Sequence, residues 1–444
     1  MTRLRPYPTY AKTTSAWNPI LPTGWRTARL KHVSTALPGG TPDTSVDDYW
    51  LTDDTGIPWI SIGDMSGRKT ITTTGKSLTE RGFSSKTLPL GRPSQILFAM
   101  YASVGEVSIL DIEATWNQAL LGINPVPTSI DGQYLYYVLK AVNGRLPELY
   151  RSNTQNNLNA DQVSNFEVPV PPLDDQKIIG EYLNEETARI DELIAKQERL
   201  IELLAEKRQA IITHAVTHGL DPSAPIKPSD TPSLGDLPAH WSHCQLKQAA
   251  IKVTDGAHVS PETENGEYDF VSTKDMGQSG IDFEGSLKTS AESYQSLVLA
   301  GCQPHAGDLL FSKDGTIGRT TVVNENREFV VASSLIIIRP NADRVFNKYL
   351  DFACQSKPIQ SQVSSYTKGA GLPRLSIASL RRVRIPLPPL HEQMDIAENL
   401  AARTSTIDHL RRCAHDVIGL LRERRSALIS AAVTGKINVR EGAA

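Results

Sequence analysis

The chain has 444 residues, about three times the length of a typical domain, so its length predicts two or more folded units. Hydrophobic residues make up 39% and charged residues 21%, which excludes a mostly disordered protein. No apolar run approaches the ~18 residues of a membrane-spanning helix, and the first residues lack the apolar core of a signal peptide, so we expect a cytoplasmic protein with no membrane partner. The net charge of −3 neither indicates nor excludes a nucleic-acid partner, because the local field decides such binding.

The sequence contains an internal repeat. Four segments of the first half return in the same order in the second half, at a nearly constant offset along the chain. The pairs are LPTGW (21–25) and LPAHW (237–241), ILFAMYASVGEV (96–107) and LLFSKDGTIGRT (309–320), EVPVPPLDDQ (167–176) and RIPLPPLHEQ (384–393), and EKRQAIITHAVTHG (206–219) and ERRSALISAAVTGK (423–436). The chain therefore consists of two copies of one module of roughly 215 residues.

The first part of each module reads as a mixed domain dominated by a sheet. Short apolar runs such as WISIG, ILFAM and VSIL in the first copy, and DLLFS and FVVASSLIIIRP in the second, are bounded by turn residues and predict strands. QYLYYVLKAV and NKYLDFACQS predict single helices. We assign residues 21–168 and 237–385 to these two domains, and the fold class to α+β.

A long helix follows the proline motif in each module, over residues 169–220 and 386–438. Apolar residues recur every seven positions for four heptads in the first helix and again at the corresponding positions of the second, which predicts that the two helices pair as a coiled coil. The predicted pairing residues are Leu183, Ile190, Leu193, Leu204 and Ile211 in the first helix and Leu400, Ile407, Leu410, Leu421 and Leu428 in the second.

Charge and chain length favour an antiparallel pair. Residues 166–220 carry a net charge of −5 and residues 384–444 a net charge of +2, which favours pairing with each other over self-pairing. A helix of about 43 residues is about 65 Å long. The proline-rich segment over residues 219–236, which contains the linker over residues 221–236, spans at most about 56 Å as extended polyproline. The linker is too short to return the whole helix length, so we expect an antiparallel coiled coil and a pseudo-two-fold arrangement. Residues 1–20 form an N-terminal extension outside the repeat.

Sequence signatures of catalysis are missing from the chain. The GKS segment at 75–77 lacks the preceding glycine of a phosphate-binding loop, because Thr70 stands at that position. His391 and Glu392 lie where a helix begins and are better explained as its solvated first turn. We therefore expect a non-catalytic chain with no metal site and no cofactor of its own.

Polar residues in the predicted loops of both domains fit a nucleic-acid surface. Arg, Lys, Asn and Gln have the donors and acceptors that match base edges, and any one of them alone could equally be a solvated loop residue. The candidate DNA-binding residues are Arg68, Lys69, Lys76, Arg81, Lys86, Asn117, Gln118, Arg151, Asn153 and Gln155 in the first domain, and Lys274, Lys313, Arg319, Tyr366, Lys368 and Arg374 in the second.

The order of these motifs resembles a known family. A module that opens with L-P-x-x-W, has a G-D-L-L-F-S-x-D-G-x-x-G-like centre over residues 307–318, and continues through P-x-P-P-L-x-x-Q into a long helix, all present twice, is similar to the specificity subunit of type I restriction-modification systems. The resemblance covers residues 21 to about 438.

The resemblance implies a division of labour between subunits. Each domain would be a target recognition domain that reads one half of a split double-stranded DNA sequence, and the paired helices would set the gap between the halves. Two methyltransferase subunits that bind S-adenosylmethionine would dock on the helices, and two restriction subunits that use ATP and Mg²⁺ would join them. The chain itself would be a non-catalytic subunit.

Two other classes of function fit the same features. A stand-alone DNA-binding regulator would also have two reading domains and a spacer. A coiled-coil scaffold without DNA function would have the paired helices, but it would not need polar loops on both domains.

Overall fold

The computed structural model describes residues 5–53, 55–148, 157–258, 261–263, 266–277, 280–367 and 373–442. It divides into two compact units. Unit 1 comprises residues 1–197 and 416–444, and unit 2 comprises residues 198–415. Each long helix is divided between the units, so each unit contains one of the two sheet-containing domains and a part of both helices. No helix within the described ranges is long and apolar enough to cross a membrane.

Unit 1 contains short strands and helices that precede the first long helix. The strands are β1 (Tyr10–Lys12), β2 (Ile20–Pro22), β3 (Arg26–Arg29), β4 (Ser34–Pro38), β5 (Trp50–Leu51), β6 (Ile57–Ile60), β7 (Thr70–Ile71), β8 (Ser77–Leu78), β9 (Ile96–Ala99), β10 (Val107–Leu110), β11 (Thr115–Trp116), β12 (Leu120–Pro125) and β13 (Glu167–Val170). The helices are α1 (Ile62–Met65), α2 (Glu80–Ser84), α3 (Gly132–Val142), α4 (Ala160–Ser164) and the long α5 (Leu173–His218), which continues into unit 2.

Unit 2 repeats this order with its own insertions. Its strands are β14 (Ile226–Pro228), β15 (Asp236–Pro238), β16 (Ser242–Gln245), β17 (Ala250–Asp255), β18 (Tyr268–Val271), β19 (Met276–Gly277), β20 (Gly280–Ile281), β21 (Leu287–Thr289), β22 (Leu309–Ser312), β23 (Thr320–Val322), β24 (Phe329–Val331), β25 (Leu335–Pro340) and β26 (Arg384–Leu387). Its helices are α6 (Leu246–Ala249), α7 (Ala291–Leu299), α8 (Asn347–Gln355), α9 (Lys357–Tyr366), α10 (Ile377–Leu380) and the long α11 (Leu390–Val433), which continues into unit 1.

Mixed sheets form the core of both domains, as the sequence predicts. In unit 1 the strands run in the order β4-β12-β9-β10-β7, and β10 pairs with β7 in parallel while the other pairs are antiparallel. In unit 2 the order β17-β25-β22-β23 reproduces the first four positions. The pairing of Ile123 with Ala36 and of Ile338 with Val253 has the same register in the two units. Helices α3 and α8 bury tyrosines in the cores beneath these sheets, and the predicted helices are confirmed.

The helices pair in antiparallel orientation within each unit. In unit 1, Asp191 of α5 forms an ion pair with Arg425 of α11 at 3.1 Å, and Asp175 forms one with Arg440 just beyond α11. Residue numbers therefore increase in opposite directions along the two helices. In unit 2, Arg208 of α5 pairs with Asp408 of α11 at 3.3 Å. Asp408 and Arg425 are the repeat counterparts of Asp191 and Arg208, so both units use the same aspartate–arginine pair.

The L-P-x-x-W motif covers the end of a long helix in each unit. Gly435 follows α11 and Gly219 follows α5, and both adopt a left-handed backbone with φ of +70° and +76°. The buried Trp25 and Trp241 pack on these glycines. The motif is therefore a structural element that closes the helix C-terminus.

The N-terminal extension has the same hydrogen-bonding pattern as the linker, beyond the segments that match in sequence. Strand β1 pairs with β2 in the same way as β14 pairs with β15, at equivalent positions of the two copies. Thr13 donates its backbone N–H to the carbonyl of Pro19, as Ser229 does to that of Gly235. Residues 5–22 are thus the counterpart of the linker. Sequence comparison misses this relation because backbone hydrogen bonds do not require matching side chains.

Candidate nucleic-acid interface

A polar recess lies beside the sheet of unit 2. The unit 2 recess is lined by His258, Lys313, Asp314, Ser333, Tyr366, Arg374, Leu375, Ser376 and Ser379. These residues lie just beyond the ends of β17, β22 and β24, at the end of α9, and within or just before α10. The backbone N–H of Leu375 donates to the carbonyl of Lys313 at 3.1 Å. Three residues predicted from sequence, Lys313, Tyr366 and Arg374, are therefore brought together.

Asp255 lies at the base of this recess and holds its lysine. The Lys313 ammonium donates to Asp255 Oδ2 at 2.8 Å, and His258 Nε2 lies 2.7 Å from the same oxygen. Partial burial raises the pKa of Asp255, but the bond and charge of Lys313 and the contact with His258 outweigh burial, so the pKa falls below its usual value. Asp255 is an anion at neutral pH that fixes the position of Lys313.

Arg374 at the rim is placed by a second carboxylate. Its Nε lies 3.2 Å from Asp314 Oδ1, and the backbones of the two residues form an isolated antiparallel bridge. The Arg374 side chain is 73% exposed, whereas that of Asp314 is 20% exposed. Asp314 Oδ1 accepts no hydrogen bond within the described residues, so the contact is an ion pair, and the recess presents an accessible guanidinium beside a carboxylate.

A second recess lies in unit 1. The unit 1 recess is lined by Gly39, Gly40, Thr41, Lys86, Thr87, Leu88 and Gln118. The Lys86 ammonium donates to the carbonyl of Thr41 at 2.6 Å, and the Thr41 hydroxyl donates to the Gln118 side-chain carbonyl. Lys86 and Gln118, both predicted from sequence, therefore lie side by side.

The two recesses share a backbone framework. Gly40 donates its N–H to the Trp116 carbonyl at 2.9 Å, and its repeat counterpart Ala257 donates to Val331 at 2.8 Å. A Cβ added at the preceding Gly39 would lie 2.2 Å from a backbone oxygen, which forces glycine there. On this framework Thr41 occupies the position of His258, and Gln118 that of Ser333. The backbone is repeated, but the side chains at the surface differ.

The other predicted residues that the structure describes in unit 1 lie outside the recess lining. The Lys69 ammonium donates to the Tyr137 hydroxyl at 3.0 Å and to the Asn184 side chain on α5, so it supports the helix side of the domain. Lys76 lies 5.6 Å from the Trp50 ring, and Arg81 forms an exposed ion pair with Asp48. Arg68 is exposed, and Asn117 accepts a bond from the Ala119 N–H.

In unit 2, Lys274 and Arg319 also lie apart from the recess lining. Lys274 is exposed beside Asp275, and Arg319 donates to the Met276 carbonyl. Four predicted residues lie outside the described residues: Arg151, Asn153, Gln155 and Lys368. DNA contact by any of the candidates remains a prediction.

Sequence reasoning missed the residues that position the cations. Asp255, His258 and Asp314 were not among the predicted site residues, because basic and amide side chains were the predicted types. A signal was present in the alignment of the two copies. The segment D-G-A-H at 255–258 is the counterpart of P-G-G-T at 38–41, and differences at equivalent turn positions mark a surface that varies.

Most of the residues predicted to pair the two long helices are buried, but two of them are exposed. The predicted residues Leu183, Ile190, Leu204, Leu400 and Ile407 are buried, and Ile211, Leu421 and Leu428 are partly buried. Leu193 and Leu410 are instead 45% and 47% exposed, which corrects their prediction as helix-pairing residues. The neighbouring Ile194 is the more buried of the pair, because it falls on the 3-4 spacing that continues from Ile190.

The exposed apolar residues also repeat. Leu193, Leu200 and Leu203 on α5 have their repeat counterparts in Leu410, Val417 and Leu420 on α11, with exposures between 38% and 66%. Within each helix the three residues lie within about 80° of one another. We call these the outer stripes.

Comparison with known proteins also divides the chain into two domains. A family model described as the type I restriction modification DNA specificity domain matches residues 22–203 and 244–412. The putative type I restriction enzyme MjaX specificity subunit of Methanocaldococcus jannaschii is 23% identical over 437 residues, covering 95% of each chain. The EcoBI specificity subunit of Escherichia coli is 22% identical over 393 residues, covering 86% of this chain and 80% of the relative.

This chain is similar to a solved structure described as the structural basis of complex assembly and conformational transition of the type I R-M system. The TM-score is 0.69 at 17% sequence identity, and the match covers 94% of this chain and 99% of the other. This likeness supports the fold. Because the family model matches most of the sequence as two domains, the chain belongs to the type I restriction-modification DNA specificity family and is a DNA target-recognition subunit with two recognition domains.

Proposed function

We propose that each unit reads one half of a split duplex DNA sequence, with the unit 1 and unit 2 recesses as the reading surfaces. The observation that carries this proposal is the repeated backbone framework with different surface side chains. Thr41 and Gln118 in one recess stand where His258 and Ser333 stand in the other. A protein that reads two unlike half-sites with two copies of one domain needs this combination.

The outer stripes are docking surfaces for two copies of one partner. Their apolar side chains are exposed on helices whose opposite faces are already buried, and contiguous exposed apolar surface marks a binding site. Because the stripes occupy equivalent positions of the repeat, the same partner fits both. A methyltransferase subunit is the partner whose activity a DNA specificity subunit directs.

The catalytic work belongs to the partners in this proposal. Methyltransferase subunits would bring S-adenosylmethionine, and restriction subunits would bring ATP and Mg²⁺. The chain supplies DNA recognition and docking, it acts in the cytoplasm where it meets chromosomal DNA, and the paired helices set the gap between half-sites.

The docking proposal is tested with one pair of substitutions and a matched control. Leu193→Asp combined with Leu410→Asp places a charge on each outer stripe, while Leu299→Asp places one on α7, where Leu299 is 90% exposed. We expect the stripe variant to lose co-purification with its methyltransferase subunit at least tenfold, because a buried unpaired carboxylate costs several kcal/mol. The thermal midpoint should be unchanged in both variants.

Genome-wide mapping of methylated bases in the same strains completes the test. We expect the wild type and the Leu299→Asp variant to methylate a bipartite motif, and the stripe variant to lose it. Equal co-purification and methylation in all three strains would overturn docking on the stripes. A chain that binds a bipartite site tightly alone and leaves methylation unchanged when deleted would instead be a stand-alone regulator.

A further inference from the structure

Arg374 has the geometry of a base-reading residue. The shortest contact of the ion pair joins Asp314 to the Nε of Arg374 and does not involve the two terminal Nη groups. Within the described part of the chain, no hydrogen bond uses those Nη atoms. An arginine whose Nε faces a carboxylate still offers the N–H donors of its two terminal Nη groups in the plane of its guanidinium. This arrangement matches the O6 and N7 acceptors of guanine in the major groove.

The surroundings of Arg374 favour a base over a phosphate. The unit 2 recess pairs both its lysine and its arginine with a carboxylate, Lys313 with Asp255 and Arg374 with Asp314. Such paired cations attract a phosphate less than free ones do, because the nearby anions repel it. The ion pairs instead bias the direction in which the two cations point, and direction is what a neutral base edge requires.

Unit 1 differs at the equivalent positions. The repeat places Tyr101 at the position of Asp314 and Asn157 at that of Arg374. The backbone is the same, since Leu158 donates to the Met100 carbonyl as Leu375 donates to Lys313. An oriented arginine is therefore specific to the second recess and belongs to the second half-site.

We propose that Arg374, positioned by Asp314, reads a guanine in the half-site bound by unit 2. The proposal rests on the proposed function, because it names a base within that target. Asp314 is a positioning residue and makes no contact with the base.

The test is selection of bound sequences from a randomised double-stranded DNA library by the full-length chain with its methyltransferase subunit. We expect Arg374→Ala to relax preference at a single G·C position in one half-site by about tenfold to a hundredfold, with the other half unchanged. Asp314→Asn keeps the shape and should relax the same position less. Arg381→Ala, which removes an exposed arginine outside the recess lining, should leave the motif unchanged.

Three results would overturn the proposal. A uniform loss of affinity with an unchanged motif, and a salt dependence reduced by about one phosphate contact, would identify Arg374 as a backbone contact. An unchanged motif and unchanged affinity would exclude a role in DNA binding. Relaxation at an A·T position would show that the base is not guanine. If the wild-type chain selects no bipartite motif, the proposed function itself fails, and that result is distinguishable from all three.

Discussion

At the scale of residues, two lysines with the same sequence interpretation have different surroundings. Lys86 is exposed at the unit 1 recess, whereas Lys69 is held by Tyr137 and Asn184. We expect Lys86→Ala to weaken binding to all DNA sequences alike and to lower the slope of log affinity against log salt by about 0.9. Lys69→Ala removes the same charge, but it should leave the slope unchanged and lower the thermal midpoint. Isothermal titrations at several salt concentrations measure both variants, and equal slopes for the two would contradict this separation.

The same residues show how far sequence goes at this scale. Residue type and loop position were enough to select Lys86, Gln118, Lys313 and Arg374, which the structure places in recesses. They could not separate these from Lys69, because the partners of Lys69 lie 68 and 115 positions away along the chain. Long-range contacts decide whether a cation faces solvent.

At the scale of elements, the heptad pattern predicts that the two long helices pair. It does not determine which face of each helix contacts the other. The stripe contains adjacent apolar residues, such as Leu193 with Ile194, and either could face the partner helix. The 3-4 spacing from Ile190 selects Ile194, and the interhelical pair of Asp191 with Arg425 fixes this rotation in unit 1. Leu193 is thereby left exposed.

The end of α11 provides a stability test at this scale. Gly435 and Gly67 both have a φ of +70°, but a Cβ at Gly435 would lie 2.4 Å from Pro22, whereas a Cβ at Gly67 would have nothing within 4 Å. Gly67→Ala should lower the free energy of unfolding by about 1–2 kcal/mol, because a residue with a Cβ is disfavoured in the left-handed conformation. Gly435→Ala should cost about 1–3 kcal/mol more, because the L-P-x-x-W packing must shift. Urea denaturation of unit 1 signals measures the difference, and equal losses would mean that the motif does not pack on this glycine.

At the scale of the whole molecule, the repeat includes both recognition domains and both long helices. Matching residues revealed it over the strands, the proline motif and the helices. They did not reveal the relation between residues 5–22 and the linker, where β1 and β14 share a hydrogen-bonding pattern without shared residues. Each unit takes helix segments from both modules, so the repeat in sequence and the unit in space have different boundaries.

The central claim is that the two recognition domains read separate halves of one target. Its most direct test replaces residues 21–168 with the same segment of a relative that has a different target, and then maps methylated motifs in the genome of the host. The account predicts a new sequence in one half-site, with the other half-site and the gap unchanged, because the unit 2 recess and both outer stripes outside the segment are kept. A motif in which both halves change, or neither changes while methylation continues, would contradict it.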